Sequence, residues 1–164
     1  MINFVFMQFL NQRKKVKQNA ISRDLVREIC RAYLISVKQT KNIAQKFAAA
    51  TPEESAKKIW LFLRNKITYE KDLPNAQQLF LPSSFLHYKK GDCKSYAIFA
   101  AAILTNLKIE NGFCLTSYNN TERPSHIYNF IRLRNGKCLP LDGCYSKFGI
   151  QKNPSYFRRI NLLK

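Results

Sequence analysis

A chain of 164 residues with a hydrophobic fraction of 46% is most simply one domain with a filled core. Its apolar runs are too short to cross a membrane, and the apolar residues 1–10 lack the preceding basic residue and the following cleavage site of a secretion signal. Five cysteines without framework spacing exclude a disulfide scaffold and indicate a reducing, cytoplasmic compartment.

The net charge of +18 is the most unusual bulk property, with 28 basic and 10 acidic residues. Residues 1–50 and residues 93–164 each carry +8, whereas residues 51–92 carry +2. Such a surface attracts polyanions, so contact with nucleic acid or another polyanion is one expectation. Because no nucleic-acid-binding motif accompanies the charge, a basic surface without a specific partner is the alternative.

The first 50 residues are predicted to form a basic, helical N-terminal extension. Residues 11–20 are polar and basic, which favours an exposed arm or a solvated turn of helix. A helix is predicted to begin with Ser22 as its N-cap and Asp24 in its first turn. Apolar residues at helical spacing mark the face that should be buried: Leu25, Ile29 and Tyr33.

A second helix is predicted to follow Thr51. Thr51 is a suitable N-cap, Pro52 suits the first helical position, and Glu54 can close a capping box. The apolar stripe of this helix includes Trp60, the only tryptophan, for which a packing role is expected. Residues 68–90 contain two prolines and no sustained periodicity, so they are predicted to be mostly loop and to form one wall of a cleft.

A third helix is predicted to begin at Cys93 and to end near Asn106. Gly91 permits a tight turn, and Asp92 is a good N-cap. One apolar stripe of this helix should face the core. Cys93 lies in the first turn, where the helix dipole and the free N–H groups favour a thiolate over a thiol. A nucleophilic thiol needs a base and an orienting acid from elsewhere in the chain.

The remaining chain predicts an antiparallel sheet. A strand over 112–118 is followed by a hairpin, whose arms are residues 125–133 and 137–141, and the apolar residues of the tail could add a last strand. His126 and Asp142 fall on the two arms of this hairpin.

The turn of the hairpin decides whether His126 and Asp142 share a face. A two-residue loop would pair Arg134 with Lys137 and place Asp142 on the face away from His126. A three-residue loop with Gly136 in the left-handed conformation would pair Leu133 with Lys137 and bring the two side chains to one face. A catalytic role for this pair therefore requires the three-residue loop or a bulge elsewhere in the hairpin.

Each of these residues alone has a simpler interpretation. Cys93 alone would more often be packing, His126 a hydrogen-bonded strand residue, and Asp142 a turn former. Zinc is a rival use of the same region, because Cys114, His126, Cys138 and Cys144 could supply four ligands. The sequence has no Cys-x-x-Cys pair, however, so no metal or other cofactor is predicted.

The motifs occur in a recognisable order. Gly91-Asp92-Cys93 opens an alanine-rich helix, Ser125-His126-Ile127-Tyr128 opens a strand, and Leu139-Pro140-Leu141-Asp142 follows. This order resembles the transglutaminase-like superfamily, the branch of papain-like thiol enzymes with cysteine, histidine and aspartate in that sequence. Residues 60–69 are similar to the helix and tyrosine that precede the cysteine motif. The resemblance covers about residues 51–145 and is strongest to small microbial and phage-encoded cysteine peptidases.

The resemblance implies an α+β fold with a papain/transglutaminase-like core, in which the catalytic helix packs on an antiparallel sheet. That core would span residues 51–164, with residues 1–50 as the extension. Two departures from the family pattern are present: Tyr128 stands where tryptophan is common, and Gly143-Cys144 follows the aspartate where proline is common.

Carried over to this sequence, the family roles make Cys93 the nucleophile, His126 the general base and later acid, and Asp142 the group that holds the imidazole. The backbone N–H of Cys93 would stabilise an oxyanion, with the side chain of Gln77 or Gln78 as a second donor.

The reaction implied is attack of a thiolate on an amide carbonyl, giving a thioester. Water would complete hydrolysis, which the resemblance favours, and an amine would complete transamidation. The expected substrate is a protein or peptide, without membrane contact. The protein would be cytoplasmic, or virion-associated if it is phage-encoded. The competing class is a non-catalytic, basic structural or binding protein that keeps the fold.

Overall fold

The computed structural model of the protein describes residues 23–73, 77–118, 120 and 123–162, together with the backbone of residues 13–16. The helices are α1 (Arg23–Thr40), α2 (Pro52–Lys66), α3 (Pro82–Tyr88) and α4 (Cys93–Asn106), with a 3-10 turn at Ala44–Phe47. The strands are β1 (Arg13–Val16), β2 (Thr68–Tyr69), β3 (Gln77–Phe80), β4 (Lys90–Gly91), β5 (Asn111–Ser117), β6 (His126–Arg132), β7 (Cys138–Leu141) and β8 (Tyr156–Asn161).

The main sheet is antiparallel and has the strand order β7-β6-β5-β8. The predicted last strand is confirmed, because β8 pairs with β5 along its whole length. Two short pairs lie outside this sheet: β1 with β3, antiparallel, and β2 with β4, parallel. Helices beside an antiparallel sheet make an α+β fold, as the sequence predicted.

Helix α4 runs through the centre of the molecule. Every residue from Cys93 to Leu104 is buried, so the prediction of a single buried stripe was too narrow. A helix that is apolar on all sides must be covered on all sides. One side of α4 packs with α2 and α3 through Ile59, Leu63 and Phe85, and the other packs with α1 and the sheet.

Helix α1 packs against α4. The predicted apolar face is confirmed, since Leu25, Ile29 and Tyr33 are buried. The Tyr33 hydroxyl also lies 2.9 Å from the Thr105 hydroxyl near the end of α4. The expected N-cap, Ser22, lies outside the described residues. The helical alternative for residues 11–20 is wrong at residues 13–16, which form the strand β1.

The N-terminus of α2 has the predicted capping box. The Thr51 hydroxyl accepts from the Glu54 N–H at 3.2 Å, and the Glu54 carboxylate accepts from the Thr51 N–H at 3.0 Å. These two bonds satisfy donors that the first turn of a helix leaves without intrahelical partners. The capping fixes the start of the helix that carries Trp60.

The prediction of loop over residues 68–90 is wrong. This segment contains β2, β3, α3 and β4, all of seven residues or fewer. Such short elements show too few periods for a hydrophobic pattern to reveal them. Pro82 begins α3, and left-handed Lys89, with φ 51°, ends it. The parallel pairing of β2 with β4 brings Tyr69 beside Gly91, close to the start of α4.

Among the described residues, no helix is long and apolar enough to cross a membrane.

Candidate active site

Cys93 is the first residue of α4. The side chain of Asp92 accepts from the backbone N–H groups of Lys94 and Ser95 at 3.1 Å and 3.3 Å, which confirms the predicted N-cap. The N–H of Cys93 has no partner within the helix, because the first residues of a helix precede its hydrogen-bond ladder. It is therefore available to a ligand.

The Cys93 thiol is buried, with 7% of the residue exposed. Burial raises the pKa of Cys93 to about 11, although the backbone N–H groups of Ile127 and Lys94 donate to the sulfur and lower it. The sequence-based expectation that the helix start favours a thiolate is therefore wrong for the resting protein. The cost of burying a charge outweighs the two N–H groups. Ile127, which donates to the sulfur, is the residue after His126 in strand β6.

His126 and Asp142 are hydrogen-bonded. The Nε2 atom of His126 lies 2.8 Å from the Oδ2 atom of Asp142, and both side chains are largely buried. A carboxylate only accepts, so Nε2 carries the hydrogen and Nδ1 is the basic nitrogen.

This contact depends on the turn of the hairpin. The observed pairs, Ile131 with Leu139 and Arg132 with Cys138, have the register that the three-residue loop requires. The N–H of Leu133 donates to the carbonyl of Lys137 at 2.8 Å, and Gly136 has φ +80°. A side chain rarely adopts that conformation, and glycine does so freely. Of the two loops that the sequence left open, the structure has the three-residue loop with left-handed Gly136, the one that brings His126 and Asp142 together.

Asp142 is held by its own turn and by α2. Its Oδ1 accepts from the N–H of Cys144 at 2.9 Å. Its backbone carbonyl accepts from the indole N–H of Trp60 at 3.1 Å, and the same N–H also reaches the carbonyl of Tyr145 at 3.1 Å. From the sequence, only a packing role was expected for Trp60. A single tryptophan on a helix gives no sign of a partner 82 residues away.

Gly143 allows this turn to lie close to the helices. A Cβ atom at this position would stand 2.7 Å from the Cδ1 of Leu63 and 2.8 Å from the Cδ1 of Tyr96. Real Cβ atoms do not approach other carbons so closely. The lack of space for a Cβ atom therefore explains why glycine stands here, where the family commonly has proline.

Aromatic rings flank the imidazole. The ring of Tyr128 lies 5.8 Å from that of His126, between ring centres, and the ring of Tyr118 lies 6.2 Å away. Tyr128 is the residue that replaces the family's tryptophan, and it is buried. Both distances fall within the range of contacts between aromatic rings.

A cavity of about 200 Å³ opens in front of Cys93. Its lining includes Gln77, Ser125 and Tyr69, and also the charged residues Lys71, Asp72, Asp92 and Lys94. Of the two predicted oxyanion donors, Gln77 lines this cavity. Gln78 does not, and its backbone N–H donates to the Asp72 carboxylate at 2.6 Å.

Within the part of the chain that the structure describes, one group of side chains could hold a metal ion. Ligand atoms of His126, Asp142 and Cys144 lie within 4.8 Å of one another. The two other cysteines of the zinc alternative, Cys114 and Cys138, pack together elsewhere with Tyr128 and Phe130. The Cys144 thiol donates to Asp142, and burial with the nearby negative charges raises the pKa of Cys144 far above its ordinary value.

A family model described as the transglutaminase-like domain matches residues 38–139. The match covers more than half of the chain, so the protein belongs to this family. It includes Cys93 and His126 and ends shortly before Asp142. Membership supports thiol-dependent catalysis in general terms. A search of the curated proteins found no match.

Two solved structures are similar in fold. A proposed cysteine protease from Cytophaga hutchinsonii is 15% identical, with a TM-score of 0.51, over 87% of this chain and 43% of that one. A structure described as a TGase is 13% identical, with a TM-score of 0.46, over 80% of this chain and 35% of that one. The second score is too low to support an argument, and the first supports the fold alone. This chain spans less than half the length of either protein.

Proposed function

We propose that the protein is a cysteine hydrolase that cleaves an amide bond of a protein or peptide through Cys93, His126 and Asp142. The observation that carries the proposal is the 2.8 Å hydrogen bond between His126 and Asp142. The backbone N–H of Ile127, the residue after His126, donates to the Cys93 sulfur. A base oriented by a carboxylate beside a thiol is the arrangement that nucleophilic catalysis requires.

The high pKa of Cys93, about 11, defines the first step. The resting site holds a neutral thiol, so the proton moves to Nδ1 of His126 as the sulfur attacks the carbonyl carbon. The imidazolium that forms is stabilised by Asp142. The oxyanion of the tetrahedral intermediate would accept from the N–H of Cys93 and from the amide of Gln77.

The remaining steps restore the site. His126 gives its proton to the departing amine, and the C–N bond breaks to leave a thioester on Cys93. Water then loses a proton to His126 and attacks the thioester, which releases the acid and returns the thiol. The cavity of about 200 Å³ in front of Cys93 has room for an attacking water molecule. An amine in place of that water would give transamidation, the alternative reaction of the same thioester.

The first experiment is the pH dependence of alkylation of Cys93 by iodoacetamide, read by mass spectrometry, in the wild type and in His126→Ala. At pH 7 a thiol with a pKa of about 11 is only about 10⁻⁴ ionised. If His126 accepts the proton, the wild type reacts rapidly near neutral pH, and His126→Ala loses about 10²-fold or more.

The chain offers a matched control for this variant. His87, the other of the two histidines, lies on α3 against Tyr88, and His87→Ala should leave the alkylation rate unchanged. Alkylation that rises only towards pH 11 in wild type and His126→Ala alike would overturn the proposal. Release of acid, measured against incorporation of a fluorescent primary amine, then separates hydrolysis from transamidation.

The competing function is polyanion binding by a protein that retains the fold without turnover. The net charge of +18 favours it. Binding to nucleic acid that falls steeply with salt and is unchanged in Cys93→Ala, without any thiol-dependent turnover, would support this function instead.

A further inference from the structure

Lys94, the residue after the proposed nucleophile, is buried although it is charged. Only 3% of it is exposed. Its ammonium forms ion pairs with Asp92 and, at 3.2 Å, with Asp72, and it donates to Oε1 of Gln77 at 2.8 Å. An isolated buried ammonium would be very unfavourable, and three acceptors match its three N–H groups.

These acceptors come from two parts of the chain. Asp92 caps the helix that begins with Cys93, whereas Asp72 and Gln77 belong to the segment between β2 and the end of β3. Lys94 thus joins the wall of the cavity to the start of the nucleophile's helix. All four residues line the cavity in front of Cys93.

The ammonium of Lys94 determines which of its two flipped orientations the amide of Gln77 adopts. An amide group has an oxygen that accepts and a nitrogen that donates, and the two ends have nearly the same shape. An ammonium only donates, so it binds Oε1 and excludes the flipped amide. Nε2 keeps two hydrogens, of which one goes to the carbonyl of Leu73 at 3.3 Å. The second hydrogen has no partner among the described residues, and Gln77 lines the cavity in front of Cys93.

We propose that Lys94 is a positioning residue, which fixes the amide of Gln77 so that Nε2 donates to the oxyanion formed at Cys93. The inference rests on the proposed function, because an oxyanion forms only when the thiol attacks a carbonyl. It selects Gln77 over Gln78 as the side-chain donor, and it gives a role to a buried lysine outside the proposed triad.

The test compares two reactions of Cys93. Acylation by p-nitrophenyl acetate passes through a tetrahedral oxyanion, whereas alkylation by iodoacetamide is a displacement at carbon that forms none. Both rate constants are measured at Cys93 by mass spectrometry in the full chain. The ratio of acylation to alkylation reports the oxyanion donors separately from the nucleophilicity of the thiol.

Gln77→Leu removes the donor and adds no charge. We expect its ratio to fall by about 10²-fold or more, the usual effect of losing one oxyanion donor. Gln78→Leu, the same change one position along, should keep the wild-type ratio. Lys94→Met should lower the ratio less than Gln77→Leu, because the amide is still present but free to flip. Lys94→Arg should retain most of the wild-type ratio.

The double variant distinguishes positioning from a purely structural role. If Lys94 acts through Gln77, Lys94→Met added to Gln77→Leu lowers the ratio no further. Additive losses, or a wild-type ratio in Gln77→Leu, would overturn the inference. Should Lys94→Met fail to fold, Lys94→Gln replaces it, because an amide accepts either orientation of Gln77. Slow alkylation of the wild type would instead count against the proposed function.

Discussion

The indole N–H of Trp60 donates to the backbone carbonyl of Asp142 at 3.1 Å, across 82 residues of sequence. Through this bond α2 holds the turn that carries the partner of His126. The same N–H reaches the carbonyl of Tyr145, so it fixes both sides of the turn. The orientation of the imidazole therefore depends on a helix that contributes no side chain to the proposed chemistry.

Trp60→Phe tests this dependence. Phenylalanine retains an aromatic ring against Phe148, whose centre lies 5.8 Å from that of Trp60, and loses only the N–H and the smaller ring. We expect a loss of about 1–3 kcal/mol in the free energy of unfolding, because two part-buried carbonyls lose a donor and some packing is lost as well. Alkylation of Cys93 at neutral pH should also slow, because Asp142 holds His126 less firmly.

The measurements are denaturant unfolding and the alkylation rate of Cys93. Phe148→Leu is the control, since it alters the packing of Trp60 and leaves the N–H in place. Equal slowing of alkylation in both variants would show that packing, rather than the hydrogen bond, holds the turn.

The raised pKa of Cys93 predicts a pH dependence of stability. An unfolded thiol titrates near pH ~8.5, whereas the folded thiol titrates at about 11. A group whose pKa is raised on folding contributes its full stability below the unfolded value and loses it as the pH rises through the folded value. Stability should therefore fall from pH ~8.5 towards 11.

Cys93→Ala isolates this contribution from other groups that titrate in the same range. Thermal unfolding of both proteins is followed from pH 7 to 11, and the difference in Tm is plotted against pH. We expect the wild type to lose stability relative to Cys93→Ala above pH ~8.5. A constant difference would contradict the raised pKa.

Local signals in the sequence predicted the parts of the site that depend on neighbouring residues. Gly91-Asp92-Cys93 marks the start of α4, because a cap needs only the following turn. The turn at Asn135-Gly136 limits the hairpin to two registers, because the conformation of one loop residue decides which faces meet. Only the structure shows which of the two is formed, and with it that His126 and Asp142 share a face.

What the sequence missed depends on contacts between distant segments. A lysine in the first turn of a helix is ordinarily exposed, and Lys94 is buried only because Asp72 and Gln77 reach it from another segment. Likewise the position of Cys93 reveals the helix dipole but not the burial that raises its pKa. The tertiary environment of a charge cannot be inferred from helical periodicity.

Gly136 permits a test of the hairpin that involves no steric clash. An added Cβ would meet nothing within 4 Å, so the cost of a substitution is that of its φ of +80° alone. Gly136→Val should lose about 1–2 kcal/mol in the free energy of unfolding, whereas Gly136→Asn should lose less, because asparagine tolerates the left-handed conformation. Denaturant unfolding measures both, and an equal loss would contradict the conformational explanation.

Gly143 offers the complementary case, in which space rather than conformation is limiting. In Gly143→Ala the new methyl group would stand 2.7 Å from Leu63 and 2.8 Å from Tyr96, so either these side chains or the turn that bears Asp142 must shift. We expect a loss of about 1–3 kcal/mol in the free energy of unfolding, as in other overpacked sites. Alkylation of Cys93 at neutral pH should slow because His126 loses its fixed partner.

Ser146→Ala, an exposed position in the same segment, is the control and should change stability by less than about 0.5 kcal/mol. Denaturant unfolding and the alkylation rate are measured together in both variants. A stable Gly143→Ala with a wild-type alkylation rate would show that the turn can shift without disturbing the imidazole. The position of Asp142 would then depend on Trp60 and Cys144 rather than on the close approach of Gly143.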